Sequence, residues 1–174
     1  MAGSLVLIDS ATASTSATVT LGGADWDNSY DVYMVTYYKV QPATDAVNLQ
    51  VRFTVSGTAD SSANYDRAFL KLNSGSSFSD ITGTDGNQLR LSAHNTGTGT
   101  NEFNNGVLYL FNFNDASEYS FITSEETGFG ADTVARGNMG GGVLTVAQAT
   151  DGILFKFSSG NISSGEFKLY GLKK

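Results

Sequence analysis

The sequence predicts an all-β protein: an antiparallel β-sandwich, jelly-roll-like, forming a single domain over residues 1–174. Several segments alternate apolar and polar residues, as strands with one buried face do. Clusters of Gly, Ser, Thr, Asn and Asp, which are turn formers, separate these segments. Apolar residues at helical spacing are missing from every window of about a dozen residues, which disfavours a parallel α/β fold.

The clearest strand is 47–55, VNLQVRFTV, in which every odd position is apolar and every even position is polar. Shorter alternations predict further strands at 17–21, 67–72 and 89–93. The segments 31–38 and 106–113 are apolar or aromatic on both faces. They are therefore predicted to be central strands, or strands whose outer side meets another subunit.

The C-terminal part predicts strands at 143–146, 153–157 and 167–170, the last two forming a hairpin around Ser159-Gly160-Asn161. Pro42 is predicted to lie in a connection between two strands, where its missing N–H is not needed. Turn formers predict loops at 56–64, 82–87, 96–105 and 137–142.

Length and charge exclude several classes of protein. The 174 residues suit one domain, and a net charge of −7 disfavours nucleic acid and anionic membranes as partners. The chain has no Cys, which excludes disulfides, Cys-ligated metals and thiol nucleophiles. The apolar run 5–8 is too short for a signal peptide or a membrane span.

Catalytic, cofactor-binding and metal-ligating residues are not predicted. The single histidine, His94, follows a strand without a recognisable second ligand or catalytic partner, which favours a surface or capping role. Nucleophile-elbow, Walker A and dinucleotide patterns are absent. Five acids could supply a glycosidase pair, but acids in loops usually solvate a surface, and Glu125-Glu126 is predicted where a strand gives way to a Gly-rich loop. The acids are Glu102, Glu118, Glu125, Glu126 and Glu166. We predict a protein that is not an enzyme.

Two groups of residues are candidates for contact with a partner. The loop Asp25-Trp26-Asp27-Asn28 is either an Asx-rich turn or a site where oxygen ligands hold calcium and Trp26 stacks on a sugar. Tyr33, Tyr37 and Tyr38 suit an interface, because tyrosine combines an apolar ring with a polar tip, although an ordinary strand face explains them equally well. Trp26, Tyr33 and Tyr37 are the candidates for an interface or glycan contact.

An ordered set of segments carries a resemblance to a known family. The segments are 7–21 with 30–34, then 38–45 leading to Leu49 and Phe53, then 106–117, and finally 155–165 closing on 169–171. Together they resemble small β-sandwich proteins of tailed bacteriophages, many from marine and cyanobacterial phages. The resemblance implies a jelly-roll-like virion component, often a trimer, used on the capsid or in fibres and baseplates, without catalytic residues or cofactors.

Two functions follow as expectations from this resemblance. The first is a capsid decoration (cement) protein on the outer surface of the head, where a homotrimer bridges the major capsid protein or other virion proteins. The short N-terminus, without an attachment arm, favours this role. The alternative is a fibre or baseplate module that recognises host surface glycan through Trp26 and the tyrosines.

Overall fold

The chain folds into strands, as its alternating pattern predicts. A computed structural model describes residues 4–75 and 78–173, and within these residues it contains thirteen strands, a 3₁₀ turn at Gly23–Asp25 and no α-helix. The strands are β1 (Leu5–Ser16), β2 (Val19–Gly22), β3 (Val32–Pro42), β4 (Leu49–Val55), β5 (Thr58–Ala59), β6 (Tyr65–Asn73), β7 (Ser79–Gly86), β8 (Leu89–Arg90), β9 (Asn104–Phe111), β10 (Ser120–Phe129), β11 (Ala135–Leu144), β12 (Gly152–Phe157) and β13 (Ile162–Leu172).

The strands form two antiparallel sheets that pack together as a β-sandwich. The large sheet has eight strands in the order β1-β13-β3-β9-β10-β11-β6-β7, and the small sheet has the order β2-β12-β4-β5, with β8 also paired to β4. β3 and β9, the strands that the sequence makes apolar on both faces, lie third and fourth of eight, so their prediction as central strands is confirmed. The jelly-roll connectivity and the single-domain division stay predictions.

The core lies between the sheets and is rich in aromatic rings. On β4 the odd residues Leu49, Val51 and Phe53 are fully buried, as the period-two pattern predicts. The rings of Phe155 on β12 and Phe167 on β13 lie 4.9 Å apart and join the two sheets. Burial of each such side chain contributes roughly 2–3 kcal/mol, so these contacts are a main source of sandwich stability.

The predicted C-terminal hairpin is wrong. β12 pairs with β2 and β4 in the small sheet, whereas β13 pairs with β1 and β3 in the large sheet. The turn at 158–161 therefore carries the chain from one layer to the other. Alternation tells which face of a strand is buried but not which strand lies beside it, and both strands here are buried on one face.

The glycine-rich loop predicted at 137–142 is also wrong, because this segment is the middle of β11 and pairs with β10 and β6. Gly140 has a φ of +156°, and a Cβ there would lie 2.6 Å from the Phe69 Cα and collide with the Ala68 carbonyl oxygen. Here glycine marks the close approach of a neighbouring strand and not a turn. The predicted loop at 82–87 likewise falls mostly inside β7.

Candidate functional site

Two of the three predicted contact residues are buried, which corrects their prediction. Tyr33 is 0% exposed and Tyr37 is 2% exposed, because the odd-numbered residues of β3 face the core. The Tyr33 hydroxyl donates to the Asp27 carbonyl oxygen at 2.8 Å, and burial raises the pKa of Tyr33 to about 12. Neither ring presents a face on which a sugar could stack. Tyr38, which follows in the chain, is 51% exposed.

Trp26, the third predicted contact residue, is half-buried at the edge of the same aromatic cluster. Its ring centroid lies 4.1 Å from that of Tyr33 and 5.5 Å from that of Phe113. The loop around it forms an Asx turn, since Asp27 Oδ1 accepts a hydrogen bond from the Ser29 amide at 2.9 Å. Packing against the core accounts for Trp26, and its contact with a glycan stays a prediction.

The sequence favoured a surface or capping role for His94, but the residue is buried, with only 3% of it exposed. Its ring packs on Gly128, where a Cβ would lie 2.8 Å from the His94 Cε1 atom. Neither ring nitrogen has a hydrogen-bond partner among the residues that the structure describes. Burial, followed by the positive charge of Arg136, lowers the pKa of His94 to about 4, so the imidazole is neutral at pH 7.

Glu126 also differs from its prediction, because it lies inside β10 with its side chain buried. Its Oε2 atom accepts hydrogen bonds from Asn138 Nδ2 at 3.0 Å and from the Ala93 amide at 3.4 Å. Burial raises the pKa of Glu126 to about 8. The phase of the alternation could have found this residue, since Ile122, Ser124 and Glu126 share the inward face, while Glu125 points outward.

The other four acids lie at exposed or half-buried positions, whereas Glu126 is buried. Glu102 Oε2 accepts the Gly99 amide at 2.8 Å in a loop, and Glu118 and Glu166 are exposed on different parts of the chain. In the described ranges, 4–75 and 78–173, no three His, Asp or Glu side chains come together as a metal site would require. No helix there is long and apolar enough to span a membrane.

An uncharged row of residues runs across the outer face of the large sheet. The strand registers place one residue of each strand side by side across all eight strands. In order, the row contains Leu7, Tyr170, Met34, Tyr109, Thr123, Gly141, Ala68 and Thr82. All eight positions are exposed or half-buried, and none carries a charge. We call this the outer row.

Flanking rows extend the apolar surface on both sides of the outer row. On one side Val32, Phe111, Phe121 and Val143 lie in register. The row on the other side contains Val107, Met139 and Leu70, with charge at Glu125 and toward the ends at Lys168 and Asp80. Phe121 is 42% exposed and Met139 is 47% exposed. We call the outer row and its two flanking rows the outer face.

The outer face has the dimensions of a protein interface. Eight strands at about 4.8 Å spacing span roughly 34 Å, and three rows of side chains cover roughly 20 Å along the strands. The resulting footprint of roughly 700 Å² includes threonines and the charged Asp66, Asp80, Glu125 and Lys168, and it approaches the roughly 800 Å² that each partner buries in a stable complex. Such a surface can act by contact area, without any reacting group.

The sequence pointed to part of this surface. The segments 31–38 and 106–113, apolar on both faces, supply Met34, Tyr109 and Phe111. Met139 was missed because it lies in the glycine-rich segment that indicated a loop. Strand register, which brings these residues together, is set by pairing between distant segments and leaves no local signal.

Comparisons of the chain with protein-family models, with curated proteins and with solved structures found no match. The argument for function therefore depends on the chain's own residues and on the surface that they form.

Proposed function

We propose that this protein is a non-enzymatic structural component of a tailed-phage virion, a capsid decoration protein that stabilises the head by bridging capsid proteins from the outside. The observation that carries the proposal is the outer face of the large sheet, which exposes aromatic and aliphatic side chains on a protein of otherwise hydroxyl- and amide-rich composition. The resemblance of the ordered segments to small phage β-sandwich proteins supports the choice of a virion.

Adhesion by area suits a cement protein. A shell protein must resist the pressure of packaged DNA at many equivalent positions, and multivalent attachment makes modest single contacts sufficient. The net charge of −7 is compatible with a position outside the shell, away from the genome. In this proposal the outer face joins three copies into a homotrimer, and the trimer then binds the major capsid protein.

Binding to heads tests the virion role. Purified protein is mixed with heads that lack decoration and the co-sedimenting fraction is measured as protein concentration rises. Saturable binding at a fixed number of copies per head is expected. Failure to bind heads, with binding to host envelope sugar instead, would overturn this role in favour of a receptor-binding module.

Light scattering after size-exclusion chromatography tests the trimer and the surface that forms it. The variant Tyr109→Asp places a charge in the middle of the outer row, and we expect it to convert a trimer into a monomer at micromolar concentration. Thr20→Asp is the matched control, because Thr20 is exposed on β2 of the small sheet. A wild-type protein that is monomeric, or a trimer that survives Tyr109→Asp, would contradict the assignment of the outer face.

A further inference from the structure

A cavity of about 480 Å³ opens at one end of the inner side of the large sheet. β6 and β11 supply part of its wall, and the segment 90–95 and the loops at 45–46 and 131–132 supply the rest. Its volume lies within the range of small-molecule sites. It is separate from the outer face, because the side chains that line it from β6 and β11 alternate with those that point outward.

Three of the chain's ten Lys and Arg residues line this cavity: Lys71, Arg90 and Arg136. This concentration of positive charge is unexpected in a protein whose net charge is −7. All three line the cavity together with His94, and burial, followed by their charges, lowers the pKa of that residue against the opposing charge of Asp132. The three cations therefore converge on one place.

Carboxylates in the cavity offset only part of this charge. Asp132 forms an ion pair with Arg136, the one ion pair within the described part of the chain. Asp45 accepts the Thr98 amide at 3.3 Å. Lys71 and Arg90 form no ion pair with a carboxylate among the described residues, although Arg90 lies close enough to the buried Glu126 for their charges to interact.

Arg90 is held in place before any ligand arrives. Its Nε atom donates to the Ser92 carbonyl oxygen at 2.8 Å. The terminal nitrogens of a guanidinium held in this way can donate two parallel hydrogen bonds to a carboxylate or a phosphate. The side chain of Arg90 therefore loses less conformational entropy when a ligand binds.

His94 lies at the buried wall of the cavity. It lines the cavity, it is 3% exposed, and neither ring nitrogen has a partner among the described residues. Buried polar groups in native proteins are nearly always hydrogen-bonded, and an unpaired one needs an explanation. The Cε1–Nε2 edge of the ring packs on Gly128, and neither ring nitrogen is accessible from the cavity, so His94 forms part of its buried wall.

We propose that this cavity binds a small molecule bearing an oxyanion, either a carboxylate or a phosphate, held by Arg90 and Lys71. The proposal is independent of the virion role, since it uses the inner end of the sheet and not the outer face. Asp45 and Asp132 on the rim can accept hydrogen bonds from hydroxyl groups of the same ligand.

Titration calorimetry at low ionic strength tests the proposal with three probes: inorganic phosphate, glucuronate and glucose. Saturable binding of phosphate or glucuronate is expected, with glucose binding at least tenfold more weakly than glucuronate. Tight phosphate and weak glucuronate would identify a phosphate as the ligand group, and the reverse order a carboxylate. Failure of both anions to bind at about 20 mM, near the weak end of ordinary affinities, would overturn the proposal.

Variants locate the binding. Arg90→Gln removes a charge-assisted contact and is expected to weaken anion binding by about tenfold or more. Lys71→Gln is expected to weaken anion binding severalfold, and it keeps the test decisive if Arg90→Gln does not fold. Lys39→Gln is the matched control on an exposed lysine outside the cavity. Equal weakening in Lys39→Gln and Lys71→Gln would mean nonspecific binding and refute the site.

Discussion

Glu126 and His94 are two buried titratable groups whose effects on stability oppose each other as pH changes. Burial raises the pKa of Glu126 from its ordinary 4.5 to about 8 and lowers the pKa of His94 from 6.5 to about 4. Folding therefore makes Glu126 bind a proton that the unfolded chain releases, and makes His94 release a proton that the unfolded chain binds. The change we consider is Glu126→Gln, which keeps the shape of a protonated carboxyl and cannot ionise.

The sign of each contribution follows from proton binding. Between pH 4.5 and 8 the folded state holds the extra proton on Glu126, so stability falls as pH rises. Between pH 4 and 6.5 the unfolded state holds the extra proton on His94, so stability rises with pH. The two slopes cancel up to pH 6.5. Above it only Glu126 contributes, and wild-type stability should fall by about 2 kcal/mol between pH 6.5 and pH 8 at about 1.4 kcal/mol per pH unit.

Urea denaturation at half-unit pH intervals from 4.5 to 8 measures these slopes. Glu126→Gln should be flat from pH 6.5 to 8, and from pH 4.5 to 6.5 it should gain about 3 kcal/mol relative to the wild type, because the His94 slope is then unopposed. His94→Asn should show the complementary behaviour, losing about 3 kcal/mol relative to the wild type over the lower range. The exposed carboxylates are the same in all three proteins. Subtracting the unfolding free energy of one protein from that of another at the same pH therefore removes their contribution.

Two results would refute this reasoning. A wild-type protein whose unfolding free energy does not change from pH 6.5 to 8 would mean that Glu126 is ionised in the folded state. A Glu126→Gln variant that keeps the wild-type slope in this range would assign the slope to another group. In either case the buried position of Glu126 beneath Ala93 and Asn138 would need revision.

Two further predictions concern the packing of the sandwich and are measured by urea denaturation at constant pH. Gly140→Ala forces a methyl group against the β6 backbone at a φ of +156° and should lower the free energy of unfolding by at least about 2 kcal/mol. Gly75→Ala is its control, because the nearest contact of the new methyl group would be a Val134 methyl at 3.5 Å, and it should lower the free energy of unfolding by less than about 1 kcal/mol. Phe155→Ala removes the fully buried ring that joins the sheets and should cost about 3–5 kcal/mol, whereas Phe78→Ala, at a ring that is 66% exposed, should change stability by less than about 0.5 kcal/mol. Equal effects within either pair would contradict the assigned packing.

Local pattern was sufficient to predict which segments become strands. In 47–55 the alternation identifies both the strand and its buried face, because side chains of successive strand residues point to opposite sides. In 31–38 and 106–113 the signal is different, because apolar and aromatic residues on both faces identify them as central strands. Alternation does not predict which strands pair. For this reason the segments 153–157 and 167–170, predicted to form a hairpin, turned out to lie in different sheets.

Predictions from residue type were wrong where the same residue type occurs in two different structural environments. Glycine at 137–142 indicated a turn, yet in β11 it permits close contact with β6. Tyr33 and Tyr37 indicated an interface, yet they are in phase with Val35 and therefore face the core. In both cases the phase of the strand, and not the residue type, decides the environment.

The buried polar network of Glu126 and His94 was not recognisable in the sequence because its members are distant from one another in the chain. Glu126 meets Asn138 and the Ala93 amide, and His94 rests on Gly128, so the network joins β10, β11 and the segment after β8. A lone histidine in a polar loop carries no sign of such neighbours. Only the register that sets Glu126 opposite Asn138 brings them together.

The same strands thus serve two surfaces that should act independently. On β10 Glu125 points to the outer face and Glu126 to the interior, and on β11 Met139 and Asn138 are divided in the same way. Rigid strands separate the two faces, so a charge at Tyr109 should abolish assembly and leave phosphate affinity unchanged. Arg90→Gln should do the opposite. If Tyr109→Asp weakened phosphate binding as much as assembly, the cavity would have to depend on contact between copies, and the separation of an adhesive outer face from a ligand-binding interior would fail.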